Sequence, residues 1–203
     1  MSETIKIWVM THRKCALPKD PVYLPLQVGK ALGENLGYLG DDTGDHISEK
    51  NIYYGELTGQ YWVAKNDTDS DYLGLCHYRR FFLNGEGRIL SRNEYEELFQ
   101  KYEIILPTPV SFSKSYYEVY AEAHNARDLM KTGEALKRLY PDQYPIFTEA
   151  LNGREVHSSN MFAASSSLFK EYTEWLFSIF DQVEKEIDTT GYDDYHRRVF
   201  GFL

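Results

Sequence analysis

Apolar and polar positions alternate at the start of the chain and recur at three- and four-residue spacings later, which predicts strands and helices in succession. Thr4 to Met10 places Ile5, Ile7 and Val9 on one face, the period of a strand. That strand ends in Thr11-His12-Arg13-Lys14, so it delivers polar and basic groups at its carboxyl end; a solvated basic turn accounts equally well for these residues alone. Leu17 to Gly29 contains Pro18, Pro21 and Pro25 and reads as an extended loop, not a helix. Gly37 to Gly44 is a loop by composition. The nearby Asp41, Asp42 and Asp45 read first as turn chemistry and second as ligands for a divalent cation such as manganese or magnesium.

Ser48 is placed to cap a helix reaching about Lys65, with Tyr54, Leu57, Tyr61, Trp62 and Lys65 on one side. Gly55 and Gly59 cost helix propensity there and would let a backbone or ligand approach closely. Asp67 to Asp71 begins like a calcium loop, but Tyr72 stands where such a loop needs Gly and Tyr78 where it needs Glu, so a solvated loop is the better reading.

Tyr72 to Cys76 is a short uncharged run suited to a strand buried on both faces of a parallel sheet. His77-Tyr78-Arg79-Arg80 follows directly. Ligands of open α/β sheets collect at strand carboxyl ends, and a paired Arg79 and Arg80 is suited to fork onto phosphate oxygens. Two such ends side by side would form one pocket. The competing reading is a surface basic pair joined to nearby acids.

Ser91-Arg92-Asn93-Glu94 is a capping box opening a helix with Tyr95, Leu98, Phe99 and Tyr102 on one face. It leads into a strand at Glu103 to Leu106, a strand–helix–strand succession expected of a right-handed crossover in a parallel sheet. Tyr116 to about Lys131 predicts a helix on which Tyr120, His124 and Asp128 share a face, an arrangement able to orient the imidazole as a base or to serve only as a structural hydrogen bond. Short helices broken at Pro141 and Gly153 follow. Val156 to Ala163 is strand-like and carries His157 and Asn160. Ser167 opens an amphipathic helix with Leu168, Tyr172, Trp175, Leu176, Ile179 and Val183 as its stripe. Tyr192 to Arg198 is a polar segment, and the chain stops inside the apolar run Val199 to Leu203, which predicts that the natural protein continues.

At 203 residues, with no repeats or linkers, residues 1–203 read as one domain. A net charge of −9 argues against nucleic-acid binding, so positive charge is local and suits a small anion. The 17 tyrosines are compatible with a sugar- or base-lined cleft, or with half-buried rings around the core. Cys15 and Cys76 make neither a disulfide framework nor a metal box, which points to a reducing, cytoplasmic setting, and no apolar run approaches the ~18 residues of a membrane helix. Glycine-rich phosphate loops, a nucleophile elbow and zinc spacings are all missing from the sequence.

Over nearly its whole length the chain resembles the bacterial capsular and exopolysaccharide biosynthesis proteins first catalogued as a domain of unknown function and regarded as glycosyltransferases. The resemblance rests on Thr11-His12, Tyr23-Leu24-Pro25-Leu26-Gln27-Val28-Gly29 and Asp42-Thr43-Gly44-Asp45 leading to Ile47-Ser48-Glu49-Lys50-Asn51. It continues through Glu56-Leu57-Thr58, Gly74-Leu75-Cys76-His77-Tyr78-Arg79-Arg80-Phe81, His124 with Asp128-Leu129, Asn160-Met161-Phe162, and Tyr195 with Arg198-Val199-Phe200-Gly201-Phe202-Leu203. The resemblance implies a GT-A-like, Rossmann-related α/β domain with a mostly parallel central sheet flanked by helices. It also implies transfer of a sugar, galactose being one candidate, from a UDP-type donor to a saccharide or lipid-linked saccharide, at the inner face of the membrane with peripheral contact.

On that basis Thr11, His12, Gln27 and Gly29 border the nucleotide, and Asp45, Asn51 and Glu56 line the donor side. His77, Tyr78, Arg79 and Arg80 meet the diphosphate, in the place where GT-A-like enzymes carry an acidic metal site, and His157 and Asn160 belong to the acceptor or sugar pocket. Asp193 or Asp194 is the first expectation for the group that activates the acceptor, and His124 the second. A phosphotransferase or phosphoesterase using the same His-Arg group and a non-catalytic sugar-binding protein remain open.

Overall fold

In the computed structural model, residues 3–203 are described. The core is a six-stranded sheet in the order β3-β2-β1-β4-β8-β5, formed by β1 (Ile5–Thr11), β2 (Tyr23–Gln27), β3 (Leu39–Gly40), β4 (Tyr72–His77), β5 (Ile104–Ile105) and β8 (Phe162–Ser165). β6 (Val110–Ser111) and β7 (Glu155–Val156) pair as a separate two-stranded sheet. Strands β1 to β4 are mutually parallel, and β8 runs antiparallel between β4 and β5. The architecture is thus the expected mixed α/β one with a mostly parallel sheet. β4 itself has a parallel neighbour on one side and an antiparallel one on the other.

Alternation along β1 builds both cores. Ile5, Ile7 and Val9 enter one apolar cluster with Tyr95 and Phe99 of α3 (Arg92–Phe99), whereas Trp8 and Met10 enter a second with Trp62 and Val63 of α2 (Leu57–Asn66) and Phe169 of α7 (Ser166–Val183). A third cluster joins Tyr54 of α1 (Asn51–Tyr54) to Phe177 and Phe180 of α7, to Leu136 of α5 (Ala126–Leu139) and to Phe200. The remaining helices are α4 (Tyr116–Ala123) and α6 (Tyr144–Asn152).

Several sequence expectations are corrected. Five residues of the proline-rich Leu17 to Gly29 segment are strand β2. Pro25 fits because β3 pairs only with Leu26 and Gln27, so the side of β2 away from β1 has no ladder at Pro25 and a missing N–H costs nothing. The helix expected from Ser48 to Lys65 breaks at Gly55, whose φ of 55° turns the chain between α1 and α2. Ser48 does not cap it; its hydroxyl donates to Asp41. Asp67 is buried, accepting from Trp8 Nε1, from Ser70 and from Lys6, and is no solvated loop residue. β5 lies two places from β4, with β8 between them. Val156 to Ala163 is two short strands separated by a turn. The capping box at Ser91 forms as expected. On α7 the cap is Ser165, and the buried residues are Phe169, Thr173, Phe177, Ile179, Phe180 and Val183; Ile179 and Val183 belong to the expected stripe, while Leu168, Trp175 and Leu176 are only half-buried, because this helix packs on both the sheet and α5.

Candidate functional site

After β1 the chain builds β2 and β3 to one side and then places β4 on the other, so the topological switch point lies between β1 and β4. Their register pairs Met10 with His77, which brings the polar ends of the two strands together. Ligands of open α/β sheets bind in that crevice. Here it opens into a cavity of about 1060 Å³, at or above the upper end of the ~300–1,000 Å³ typical of small-molecule sites. One wall carries His12 and His77 to Arg80. Facing groups come from Phe112, Tyr116 and His124, from the turn His157 to Asn160, and from Tyr195, Arg198 and Phe202.

Backbone bonds between His77 and Arg80, at 3.1 and 2.9 Å, fold the end of β4 into a tight turn that presents Tyr78 and Arg79 at its tip. The guanidinium carbons of Arg79 and Arg13 stand 4.8 and 5.4 Å from the Tyr78 ring centroid, and His12 meets that ring edge-on. Arg13 donates to His12 Nε2. Burial, and then Arg13, Arg79 and Arg198, hold the His12 imidazole below its usual range, so it stays neutral. Among the described residues, Arg13, Arg79, Arg80 and Arg198 form no ion pair, nor do Arg127 and Arg154 away from the cavity, whereas Arg88, Arg92, Arg138 and Arg197 are paired. Arg79 and Arg80 are both exposed, as the surface-pair alternative expects, but among the described residues no acid pairs with them. The Tyr78 hydroxyl is buried with no hydrogen-bond partner among the described residues.

Ser159 and Asn160 adopt φ of 79° and 49°, a left-handed turn. It is tied at both ends. The His77 ring bonds the Ser159 carbonyl, and Asn160 Nδ2 donates to Glu56 Oε1 at 3.0 Å and to the Gly201 carbonyl at 3.2 Å. Glu56 and Asn51 also line the cavity, Asn51 fixed by bonds to the Gly55 carbonyl and Thr58. His157 reaches back to the Pro107 carbonyl.

The structure gathers His12, Asn51, Glu56, His77, Tyr78, Arg79, Arg80, His124, His157 and Asn160 around one cavity. Thr11, Gln27 and Gly29 stand behind its wall: the Thr11 hydroxyl caps the turn at Arg13, Gln27 holds the backbone at Glu34 and Leu36, and Gly29 packs under Asn51. Asp45 accepts from Tyr61 away from the cavity. Asp193 is exposed and accepts from the backbone and ring of His196, which hold its carboxyl below the usual range, and Asp194 faces solvent beside Arg197. Asp41, Asp42 and Asp45 do not converge: Asp41 is buried under Ser48, Thr58 and the backbone of Gly29 and Lys30, while Asp42 lies near Lys30. The shared helical face of Tyr120, His124 and Asp128 is lost because the helix ends at His124, whose extended backbone starts a break. Asp128 takes the Tyr192 hydroxyl at 2.7 Å, and His124 stacks on Phe202 and Tyr195.

Arg198, Glu155 and the aromatic groups Phe112, Tyr116, Tyr195 and Phe202 join the site without having been singled out as site residues from the sequence, and Arg13 stands beside it against Tyr78 and His12. Arg13 follows His12 directly, but no spacing marks the others, which come from separate segments brought over the strand ends.

These features define an α/β domain with the architecture of a glycosyltransferase. A solved structure described as the apo form of WbbM, a bifunctional glycosyltransferase, superposes with a TM-score of 0.82 at 32% identity over 98% of this chain. The match spans 40% of the WbbM chain, so the sequence corresponds to well under half of that protein's length. The chain belongs to the family described as Domain of unknown function (DUF4422), whose model matches residues 6–203. A comparison with curated proteins found no match.

Proposed function

We propose that the chain transfers a glycosyl group from a nucleotide diphospho-sugar, a UDP-sugar with galactose as the first sugar to test, to a saccharide or lipid-linked saccharide of a bacterial capsular or exopolysaccharide. The observation that carries this reading is the set of unpaired guanidinium groups at the β1/β4 switch point of a glycosyltransferase-like fold. In a chain of net charge −9 such a cluster is a local well for a small anion.

In this reading the turn His77, Tyr78, Arg79 and Arg80 meets the diphosphate, with Arg13 and Arg198 added, and offsets the charge that grows on the leaving group. Where GT-A-like enzymes use a bound cation, these side chains supply positive charge here. His12 borders the nucleotide, and Thr11, Gln27 and Gly29 shape that wall from behind. Asn51 lies on the donor side, and Glu56, bonded to Asn160, stands where the donor and acceptor sides meet. His157 and Asn160, with the rings of Tyr116, Tyr195 and Phe202, form the acceptor side, aromatic faces being good platforms for the C–H faces of sugars.

Isothermal titration with UDP, UDP-galactose, UDP-glucose and simple phosphate esters tests the reading. The expected result is selective binding of the UDP compounds. Preference for the phosphate esters would replace transfer with phosphoester chemistry, and binding of free sugar alone would make the chain a sugar-binding module.

A further inference from the structure

We propose that Glu56 takes the proton of the acceptor hydroxyl and that Asn160 is its positioning residue; the assignment rests on the transfer reading above. Glu56 and Glu155 are the two carboxylates that line the cavity. Glu155 is exposed on the small two-stranded sheet and accepts from Ser111. Glu56 is half-buried at the start of α2, and Asn160 donates to one of its oxygens. Among the described residues no side chain engages the other oxygen, which is free to accept a proton.

Asn160 reaches Glu56 from a left-handed backbone at 159–160. Ser159 and Asn160 are the two non-glycine residues with positive φ among those described. Such strain persists where surrounding contacts over-determine it, and it collects at functional sites. Here the contacts are the His77 ring on the Ser159 carbonyl and the Gly201 carbonyl on Asn160. The first residue of the cationic turn is therefore linked to the carboxylate through two hydrogen bonds and one peptide unit. A base must be held within reach of the proton it removes. His124, the imidazole expected from the sequence, is stacked on Phe202 and Tyr195, and no hydrogen bond orients its ring among the described residues; His12 accepts from Arg13, His77 bonds the Ser159 carbonyl and His157 bonds the Pro107 carbonyl.

The step balances as a single displacement. The acceptor hydroxyl gives its proton to the free oxygen of Glu56, and its oxygen bonds to the anomeric carbon. The bond from that carbon to the diphosphate oxygen breaks, and its electron pair leaves with the nucleoside diphosphate beside Arg79 and Arg80. The anomeric configuration inverts.

The test uses UDP binding and UDP release from a panel of UDP-hexoses, with methyl galactoside and methyl glucoside as acceptors. Glu56→Gln is expected to lower transfer at least about a hundredfold while UDP affinity stays within about twofold. Asn160→Gly keeps the left-handed backbone but removes the amide that holds Glu56, so kcat should fall at least about tenfold while the KM for the UDP donor stays within about twofold. More than about a tenth of wild-type transfer in Glu56→Gln, a kcat within about twofold of wild type in Asn160→Gly, or retained configuration in the product would overturn the assignment. A wild-type chain that neither binds UDP nor releases it from any donor would overturn the transfer reading itself and this one with it.

Discussion

The Arg79 guanidinium lies 4.8 Å from the centroid of the Tyr78 ring and is paired with no carboxylate among the described residues. A stacked, uncompensated guanidinium keeps its N–H edge available to an oxyanion. Arg79→Ala and Arg80→Ala are each expected to weaken UDP binding roughly ten- to a hundredfold, equivalent to about 1.5–3 kcal/mol for a charge-assisted hydrogen bond. Titration at rising salt concentration should narrow the difference from wild type. Unchanged affinity in both variants would remove the diphosphate role.

Gly29 has a φ of 64°, and a Cβ built there would stand 2.6 Å from the side-chain Cγ and Oδ1 of Asn51. Gly29→Ala therefore combines backbone strain with displacement of a cavity-lining residue. Denaturant unfolding should show a loss of about 1–3 kcal/mol. A variant as stable as wild type would show that Asn51 has room to yield.

Asp41 is fully buried and accepts from the backbone of Gly29 and Lys30 and from the hydroxyls of Ser48 and Thr58, the last at 2.6 Å. Asp41→Ala strands four donors at once, each worth about 1–3 kcal/mol when buried and unpaired, although relaxation and water recover part of the loss. The expected destabilisation is about 3–5 kcal/mol by chemical denaturation, with the 29–58 region losing amide-exchange protection first. A loss under about 1 kcal/mol would contradict this account.

Bonds from Asn84 and from the backbone and hydroxyl of Ser91 push the Glu94 carboxyl down to about 2 from its usual 4.5. The fold thus favours the ionised form. Its contribution to stability is full above pH 4.5 and is lost as the pH falls toward about 2. Glu94→Gln should flatten the stability profile across that window while leaving the spectrum of the folded state unchanged, as followed by thermal unfolding at a series of pH values.

Local patterns carried much of the fold. The alternation of Ile5, Ile7 and Val9 against Trp8 and Met10, and the capping box at Ser91, act over a few residues and need no distant partner. Patterns that depended on distant packing misled in part: α7 buries Ile179 and Val183 of its expected stripe but otherwise the neighbouring positions, because the helix serves both the sheet and α5, and once the helix breaks at His124 the Asp128 carboxylate takes Tyr192, 64 residues further on.

The same division runs through the site. The residues after Cys76 announce chemistry because a buried strand that ends in an imidazole, a phenol and two guanidinium groups is a local fact of the chain. That these groups face His12 was decided by the β1–β4 pairing, and that Glu56 rather than Asp193 or Asp194 lines the cavity was decided by where the start of α2 packs, with Asn160 bonded to it from the left-handed turn. By itself the sequence determined which side chains stand at strand ends, since hydrophobic period and burial follow from neighbours in the chain. Only the tertiary structure decided which of them meet, because strand order and turn geometry are settled by packing between segments far apart in sequence.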